Sequence, residues 1–461
     1  MKIYNSLTKT KNEIKEKKIG IYVCGPTVYD EPHIGHARSA YAFDIIVRYL
    51  LFKGRKVRFV RNVTDIDDKI IDRARIDPGA KALKDRVKEI ATIYLKRYHE
   101  DMDLLGLRGP DAEPKATETI PDIIKFIKIL MRKGFGYRTP GGVYFDVRKF
   151  KDYGRLSGQS PDQMEEGSRV TVDKNKKDPL DFALWKSSKE DEPSWPSPWG
   201  EGRPGWHIEC SVMSTKFLKT NFIVHGGGLD LIFPHHENEI AQTVCAGKKS
   251  AKYWIHNGLL TINGQKMSKS LGNFITIGDF RDTYKDLNLL KLFFLSSHYR
   301  HPVDYTSEKI EEVARAKERI NIFLRGVDVA EEGEHGIRDT KDTQMIRDRF
   351  VSAMDDDFNT PEALAAVFEL VNLGNVYMSE KKVESAKGVK DALLELLDIF
   401  GVSAKEPELE LEEDDKKLMK ERDDARSRGD FDKADKIRAD LLEKGIILED
   451  TKTGTKYRRK A

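Results

Sequence analysis

Cysteine is nearly missing from this chain: 461 residues carry 3, at Cys24, Cys210 and Cys245. So few in so long a chain excludes a disulfide scaffold. No stretch of about 18 apolar residues occurs, which excludes a hydrophobic spanning helix. The start, Met1-Lys2-Ile3-Tyr4-Asn5-Ser6, runs into a lysine-rich stretch from Lys9 to Lys18 with no apolar run behind it. A cytoplasmic protein without a leader is therefore expected. An excess of one charge is missing too. Lys+Arg is 80 against Asp+Glu 77, a formal net charge of +3, so a global basic coat for nucleic acid is excluded while a local basic surface is not. No internal repeat is visible. Hydrophobic residues at 39% suffice for folded cores, and the length suggests about three domains.

The local patterns place the parts. Ile19 to Cys24 is short and β-prone, and Gly25-Pro26 breaks it. His36 to Leu51 suits a helix with Ala37, Ala40, Tyr41, Ile45 and Leu51 on a buried face, and Lys56 to Val63 suits the next strand. Together they predict a right-handed βαβ unit of a parallel sheet. Charged helical sequence follows from Lys81 to about Lys133. A loop-rich, β-leaning segment runs from Gly134 to Glu201 and reads as an insertion between two halves of one sheet. Asn221 to His225 predicts another buried strand, ended by Gly226-Gly227-Gly228. Beyond about residue 307 long amphipathic helices are expected, one opening at Thr360-Pro361-Glu362 with Thr360 as its cap and Pro361 in first position. Residues 405–415 form an acidic linker, and 416–461 a small helical unit with a β-like end.

Two motifs carry chemistry. Pro26 to His36 lies between a strand end and a helix start, where backbone N–H groups and the helix dipole favour anions. His33 and His36 add donors for phosphate oxygens, and Gly35 permits close approach of a nucleotide. Lys266-Met267-Ser268-Lys269-Ser270 sets two lysines in a Ser- and Gly-bordered loop, suited to a mobile phosphate clamp. Each motif alone also fits a solvated loop. His235 and Glu239 are spaced i,i+4, so on a helix they share a face. Cys24 and Cys210 are brought together if parallel strand ends converge on one crevice. Such a Cys, Cys, His, Glu set suits tetrahedral zinc. No Cys-x-x-Cys spacing marks it, and each cysteine also reads as a small buried hydrophobe.

His-Ile-Gly-His followed over 200 residues later by Lys-Met-Ser-Lys-Ser resembles the paired signatures of class I aminoacyl-tRNA synthetases. Tyr22 to Tyr29, Asn62 to Lys69, Gly205 to Ser211 and His225 to Glu239 resemble the cysteinyl-tRNA synthetase family. The resemblance runs the length of the chain and is looser over 310–461. It implies a fold of the α/β class: a Rossmann-like parallel-sheet catalytic domain split by an insertion, then a helical bundle, then a small mixed α/β anticodon-binding domain. The expected divisions are 1–120 and 201–307 for the catalytic halves, 121–200 for the insertion, 308–401 for the helical tRNA-binding block, 402–415 for the linker and 416–461 for the tail.

The resemblance also implies chemistry. ATP is expected at His33, Gly35, His36, Gly226, Gly227, Gly228, Asp230, Lys266 and Lys269, with Mg²⁺. His33, His36, Lys266 and Lys269 would stabilise charge on the phosphates as the catalytic residues. L-cysteine is expected beside Thr64 and Trp206, with Cys24 and Cys210. One active-site Zn²⁺ per chain is expected on Cys24, Cys210, His235 and Glu239, selecting a thiolate over a serine hydroxyl. His207, His225 and His236 are expected around the site, and Cys245 in the core. Cysteine tRNA is the expected partner, met by a tail whose 15 Lys+Arg from Lys416 on exceed its 10 Asp+Glu. Arg458, Arg459 and Lys460 are its candidate phosphate contacts. A monomer is expected, with no DNA and no membrane partner. The rivals are a ligase joining cysteine to an amino sugar and a non-enzymatic zinc-stabilised RNA-binding relative. Both leave part of the pattern without a purpose.

Overall fold

A computed structural model describes residues 1–76, 81–159, 176–219, 222–330, 337–404, 411, 413–451 and 454–459. Its centre is a four-stranded parallel sheet with the strands in the order Tyr253–Asn257, Phe222–Gly228, Lys18–Val23, Lys56–Arg61. The helix Ile34–Phe52 crosses from Lys18–Val23 to Lys56–Arg61, as the βαβ pattern predicts. The chain then leaves the sheet and returns on the other side of Lys18–Val23, as Phe222–Gly228. Strand order therefore reverses between these two neighbours. A crevice opens at such a point beyond the carboxyl ends of the strands.

Several boundaries move. The helix begins at Ile34 with His33 as its N-cap, so His36 lies in the first turn. Asn221 lies outside the described residues. Gly226, Gly227 and Gly228 continue the strand rather than end it, because they pair with Ile255, His256 and Asn257 of the next strand. The excursion between the sheet halves holds the helices Asp68–Ile76, Leu83–Leu104 and Ile120–Arg132. It also holds an antiparallel sheet ordered Gly136–Thr139, Gly142–Phe145, Phe182–Ser187, Gly202–Pro204. Ile123, Ile127, Phe145, Leu184 and Trp185 fill its core.

The helices Ser307–Val329, Lys341–Asp355, Thr360–Ser379 and Val383–Ile399 form the expected bundle. The cap of the third is Asn359, whose side chain accepts from Glu362 N, so Thr360 is already helical and Pro361 stands second. Bundle and sheet share one apolar core, from Ile3 and Tyr41 to Leu396 and Phe400. Of the acidic run, Glu413-Asp414-Asp415 is the first turn of a helix rather than linker. Carboxylates there oppose the positive end of the helix dipole favourably. Helices Glu413–Ser427 and Phe431–Glu443 and the hairpin Ile446–Thr451 with Gly454–Arg459 make the tail. The side chains of Arg458 and Arg459, and Lys460, lie outside the described residues. Among the described residues no helix is long and apolar enough to cross a membrane.

Candidate active site and metal centre

Four chain segments meet at the crevice. Cys24 follows the Lys18–Val23 strand, and its N–H donates to Gly226 O across the reversal point at 3.1 Å. Cys210 lies in the buried first half of the helix Trp206–Leu218. Glu239 lies in the first turn of Glu237–Cys245, and His235 in the irregular turn before it. The expected shared helix face is thus a turn–helix junction, yet His235 Nε2 still lies 3.1 Å from Glu239 Oε1. Cys24 Sγ is 3.6 Å from Cys210 Sγ and 3.5 Å from Glu239 Oε1. A tetrahedron with arms of about 2.0–2.3 Å has edges of about 3.3–3.8 Å, so the two edges from Cys24 Sγ have the length a metal tetrahedron requires and the His235–Glu239 edge is slightly shorter.

A second foursome shares two of these residues: Cys24, His225, His236 and Glu239. Cys24 Sγ lies 3.4 Å from His225 Nε2 and 3.3 Å from His236 Nε2. The outer hydrogen bonds separate the sets. A ligating imidazole is normally oriented through its other nitrogen. His235 Nδ1 meets His207 Nδ1 at 2.9 Å, and His236 Nδ1 meets His256 Nε2 at 2.8 Å. His225 Nδ1 is buried without a partner among the described residues. The first foursome also offers two sulfurs, the softer donor set. Burial pushes the Cys24 thiol and the Glu239 carboxyl up and His225, His235 and His236 down, toward uncharged forms. A dication supplies the charge that reverses this preference for the thiol and the carboxyl, whereas a histidine ligates in the neutral form that burial already favours.

The other candidates for the cysteine side stand close by. Trp206 is half-buried and its ring tilts over His235, centroids 4.1 Å apart. Thr64 is buried, its hydroxyl donating to Glu209 Oε2 at 3.0 Å and accepting from Asn62 Nδ2 at 3.3 Å. The donor of that hydroxyl and one of its two acceptor lone pairs are therefore used within the protein. Asn62 Oδ1 accepts from Gly25 N at 2.9 Å, tying the Cys24 loop to the neighbouring strand end. Glu209, Asn62 and His256 were not singled out from the sequence. The usable signal was a polar side chain set inside an apolar stretch, as at Ile208-Glu209-Cys210.

On the opposite flank, the two signature motifs touch. His33 Nδ1 accepts from Gly35 N at 3.1 Å and His36 Nδ1 from His33 N at 3.2 Å, with the rings stacked 3.8 Å apart. Any Cβ on Gly35 would stand 2.8 Å from His33 Cε1 and 3.3 Å from Met267 Cε, so glycine lets the lysine loop close on the histidines. Lys269 Nζ reaches Asp30 Oδ2 at 2.5 Å, while Lys266 is exposed. Burial lowers His33 to about 4 and His36 to about 3, so both rings are neutral at pH 7 and the two lysines bring the positive charge. Ser268 caps the short turn Lys269–Leu271.

Across the sheet, a Cβ on Gly226 would stand 2.2 Å from Phe43 Cε1, and one on Gly227 2.9 Å from His236 Cε1. Two of the three glycines are thus required by packing within the protein, whatever they meet from outside. Asp230 is exposed and folds back over Gly228. Cys245 is buried with the insertion's apolar core, as expected.

The family model described as the tRNA synthetase class I (C) catalytic domain matches residues 10–315. A DALR domain model matches 349–405, and a cysteinyl-tRNA ligase anticodon-binding domain model 408–458. The cysteine–tRNA ligase of Thermodesulfovibrio yellowstonii is 47% identical, over 98% of this chain and 98% of that one. That of Thermococcus gammatolerans is 47% identical over 100% and 99%. In structure, the chain is similar to Mycobacterium tuberculosis methionyl-tRNA synthetase in complex with methionyl-adenylate, with a TM-score of 0.63 at 14% identity, over 83% of this chain and 90% of that one. That likeness is one of fold. Sequence kinship over the whole length, on a class I sheet with both signature motifs in contact, makes this chain a ligase of the cysteine–tRNA ligase family.

Proposed function

We propose that the chain activates L-cysteine with ATP and transfers it to cysteine tRNA. In the first step a cysteine carboxylate oxygen attacks the α-phosphorus. The bond to the bridging oxygen breaks and pyrophosphate leaves. In the second, a ribose hydroxyl at the tRNA 3′ end attacks the acyl carbonyl, AMP leaves, and the hydroxyl proton passes to solvent. Lys266 and Lys269 neutralise phosphate charge, while neutral His33 and His36 donate hydrogen bonds; Mg²⁺ accompanies the nucleotide. Asp230 accepts from the ribose, and Gly226 to Gly228 and Gly35 keep the nucleotide's path free of side chains. This is positioning and electrostatics rather than covalent catalysis.

Cys24, Cys210, His235 and Glu239 would hold one Zn²⁺, a soft Lewis acid that favours a thiolate and offers a serine hydroxyl no equal bond. Trp206 and Thr64 shape the amino-acid side. The observation that carries the reading is the convergence of the four donors, all within 4.8 Å of one another and three of their edges at 3.1–3.6 Å, beside a half-buried tryptophan. The helical block over 308–401 would flank the anticodon stem, and the 416–461 unit would reach the anticodon. The match over 408–458 supports tRNA rather than an amino sugar as acceptor. We place the enzyme in the cytoplasm as a monomer. The test is charging of total tRNA with cysteine and ATP, with and without a chelator. Charging of cysteine tRNA alone, lost with the chelator, is expected. Serine charged as well as cysteine, or no charging, would sink the reading.

A further inference from the structure

Lys266 leaves the body of the protein on a very short hairpin. Gln265–Lys266 pairs antiparallel with Leu260–Ile262, with Thr261 opposite Lys266. The turn between them is Asn263-Gly264, with φ of +49° and +74°, the sequence and conformation of a tight two-residue hairpin. Asn263, Gly264, Gln265 and Lys266 are all exposed. A hairpin of this size is marginal by itself, so the direction of Lys266 has to be fixed from outside it.

Asp304 does so. The strand Val303–Tyr305 runs parallel to Leu260–Ile262 on its other edge, with Asp304 opposite Thr261. Asp304 Oδ1 accepts from Thr261 Oγ1 and from Gly264 N, each at 2.6 Å. Next to it, Asn263 N donates to Tyr305 O at 3.1 Å. One carboxylate oxygen therefore grips the strand and the turn together, and an ionised acceptor makes such bonds stronger than neutral ones. The Thr261 hydroxyl, more than the Gly264 amide, holds that carboxyl below its usual pKa.

The strand that carries Asp304 is itself held from two sides. Arg38, in the helix whose first turn holds His36, donates from Nη2 to His301 O. Tyr299 and Arg300 donate to Asp357 of the bundle, and Lys309 Nζ of the helix Ser307–Val329 donates to Asp304 O at 2.8 Å. The lysine hairpin is thus fixed relative to the histidines. Within the loop, Asn273 accepts from Ser268 N at 2.8 Å and donates to Lys266 O at 3.2 Å. Lys269 has Asp30 as a direct partner. Lys266, with no carboxylate partner among the described residues, depends on the turn behind it.

We propose that Asp304 is a positioning residue for adenylate formation, acting through Lys266 by holding the hairpin turn that delivers this lysine to the ATP phosphates. The inference rests on the reading of Lys266 as a phosphate ligand.

Single-turnover formation of cysteinyl-adenylate tests it, because its rate constant does not depend on what fraction of a preparation is active. Asp304→Ala removes the acceptor and should slow formation about tenfold or more, with the KM for cysteine unchanged. Asp304→Asn keeps an oxygen that can accept both bonds and should restore most of the rate. Thr261→Val removes one of the two bonds and should slow formation by a smaller factor, which keeps the test open if Asp304→Ala folds poorly. Combined with Lys266→Ala, Asp304→Ala should cost nothing further, since both act at one point. A wild-type rate constant in Asp304→Ala and Thr261→Val, or losses that multiply in the double variant, would overturn this inference while a slow Lys266→Ala left the parent reading standing. Asp304→Asn as slow as Asp304→Ala would overturn it as well. A wild-type rate constant in Lys266→Ala would overturn both.

Discussion

Lys269 Nζ stands 2.5 Å from Asp30 Oδ2, so the lysine loop is pinned to the segment that leads into His33. The two residues are 239 positions apart, yet the pair spans the mouth of the nucleotide flank. A phosphate arriving there competes with Asp30 for Lys269. The pair is partly exposed, at 56% and 22% of side-chain area, so its own contribution is about 1 kcal/mol at most.

Asp30→Asn should therefore lower the KM for ATP by up to about fivefold at low salt, with less effect at high salt. Lys269→Ala should slow adenylate formation far more than it weakens cysteine binding. Pyrophosphate exchange over an ATP series measures both. Exchange at the wild-type rate in Lys269→Ala would rule out the phosphate role.

The two overlapping donor sets make opposite predictions about metal. If Cys24, Cys210, His235 and Glu239 hold the ion, Cys210→Ser loses bound zinc and His225→Ala keeps it. His207→Ala, which removes the partner of His235, should weaken zinc about 10- to 100-fold, and His256→Ala should not. Zinc per chain and chelator competition give the answer. Retained metal in Cys210→Ser would move the site to the His225–His236 set.

Acid should destabilise the fold through its buried histidines. His33 and His36 titrate at about 4 and about 3 in the folded protein, lowered chiefly by burial, against about 6.5 unfolded. Between those values the unfolded chain binds more protons, so stability is complete above pH about 6.5 and falls as pH drops toward 4. Each contributes a loss of about 2 kcal/mol from pH 7 to pH 5. Urea midpoints at the two pH values measure it, and His36→Asn should shrink the difference. Equal midpoints for the parent protein would contradict the assignment.

Asp357 joins the bundle to the catalytic body. Fully buried, it accepts from Tyr4 N at 2.7 Å, Tyr299 OH at 2.9 Å and Arg300 Nε at 2.7 Å. Its φ is +65°, a conformation that asparagine tolerates, so Asp357→Asn removes the charge without straining the backbone. The expected cost is about 2–3 kcal/mol. A thermal or urea midpoint unchanged from the parent would show that Arg300 finds no net support there.

Local features were legible in the sequence where one short segment carried the whole signal. The βαβ unit is an example: a β-prone run, a Gly-Pro break and an apolar helical face follow in order, and the helix forms within two residues of its expected start. The glycine triplet misled because glycine commonly ends a strand, whereas here Phe43 and His236 press on the backbone from elsewhere in the chain. Glu413 to Asp415 looked like linker because acid runs solvate well, and the same charges also suit a helix's first turn.

By itself the sequence determined the element types, the signature motifs and the four donor types, because backbone propensity and side-chain chemistry are local properties. Tertiary structure alone decided which donors meet. Cys24 and Cys210, 186 positions apart, come within 3.6 Å only because strand order reverses at Lys18–Val23. It also decided that His225 Nδ1 has no orienting partner among the described residues while His235 has one, and that the insertion leaves room beside Trp206. Burial, donor–donor distances and cavity shape arise from segments far apart in the chain, and no local pattern encodes them.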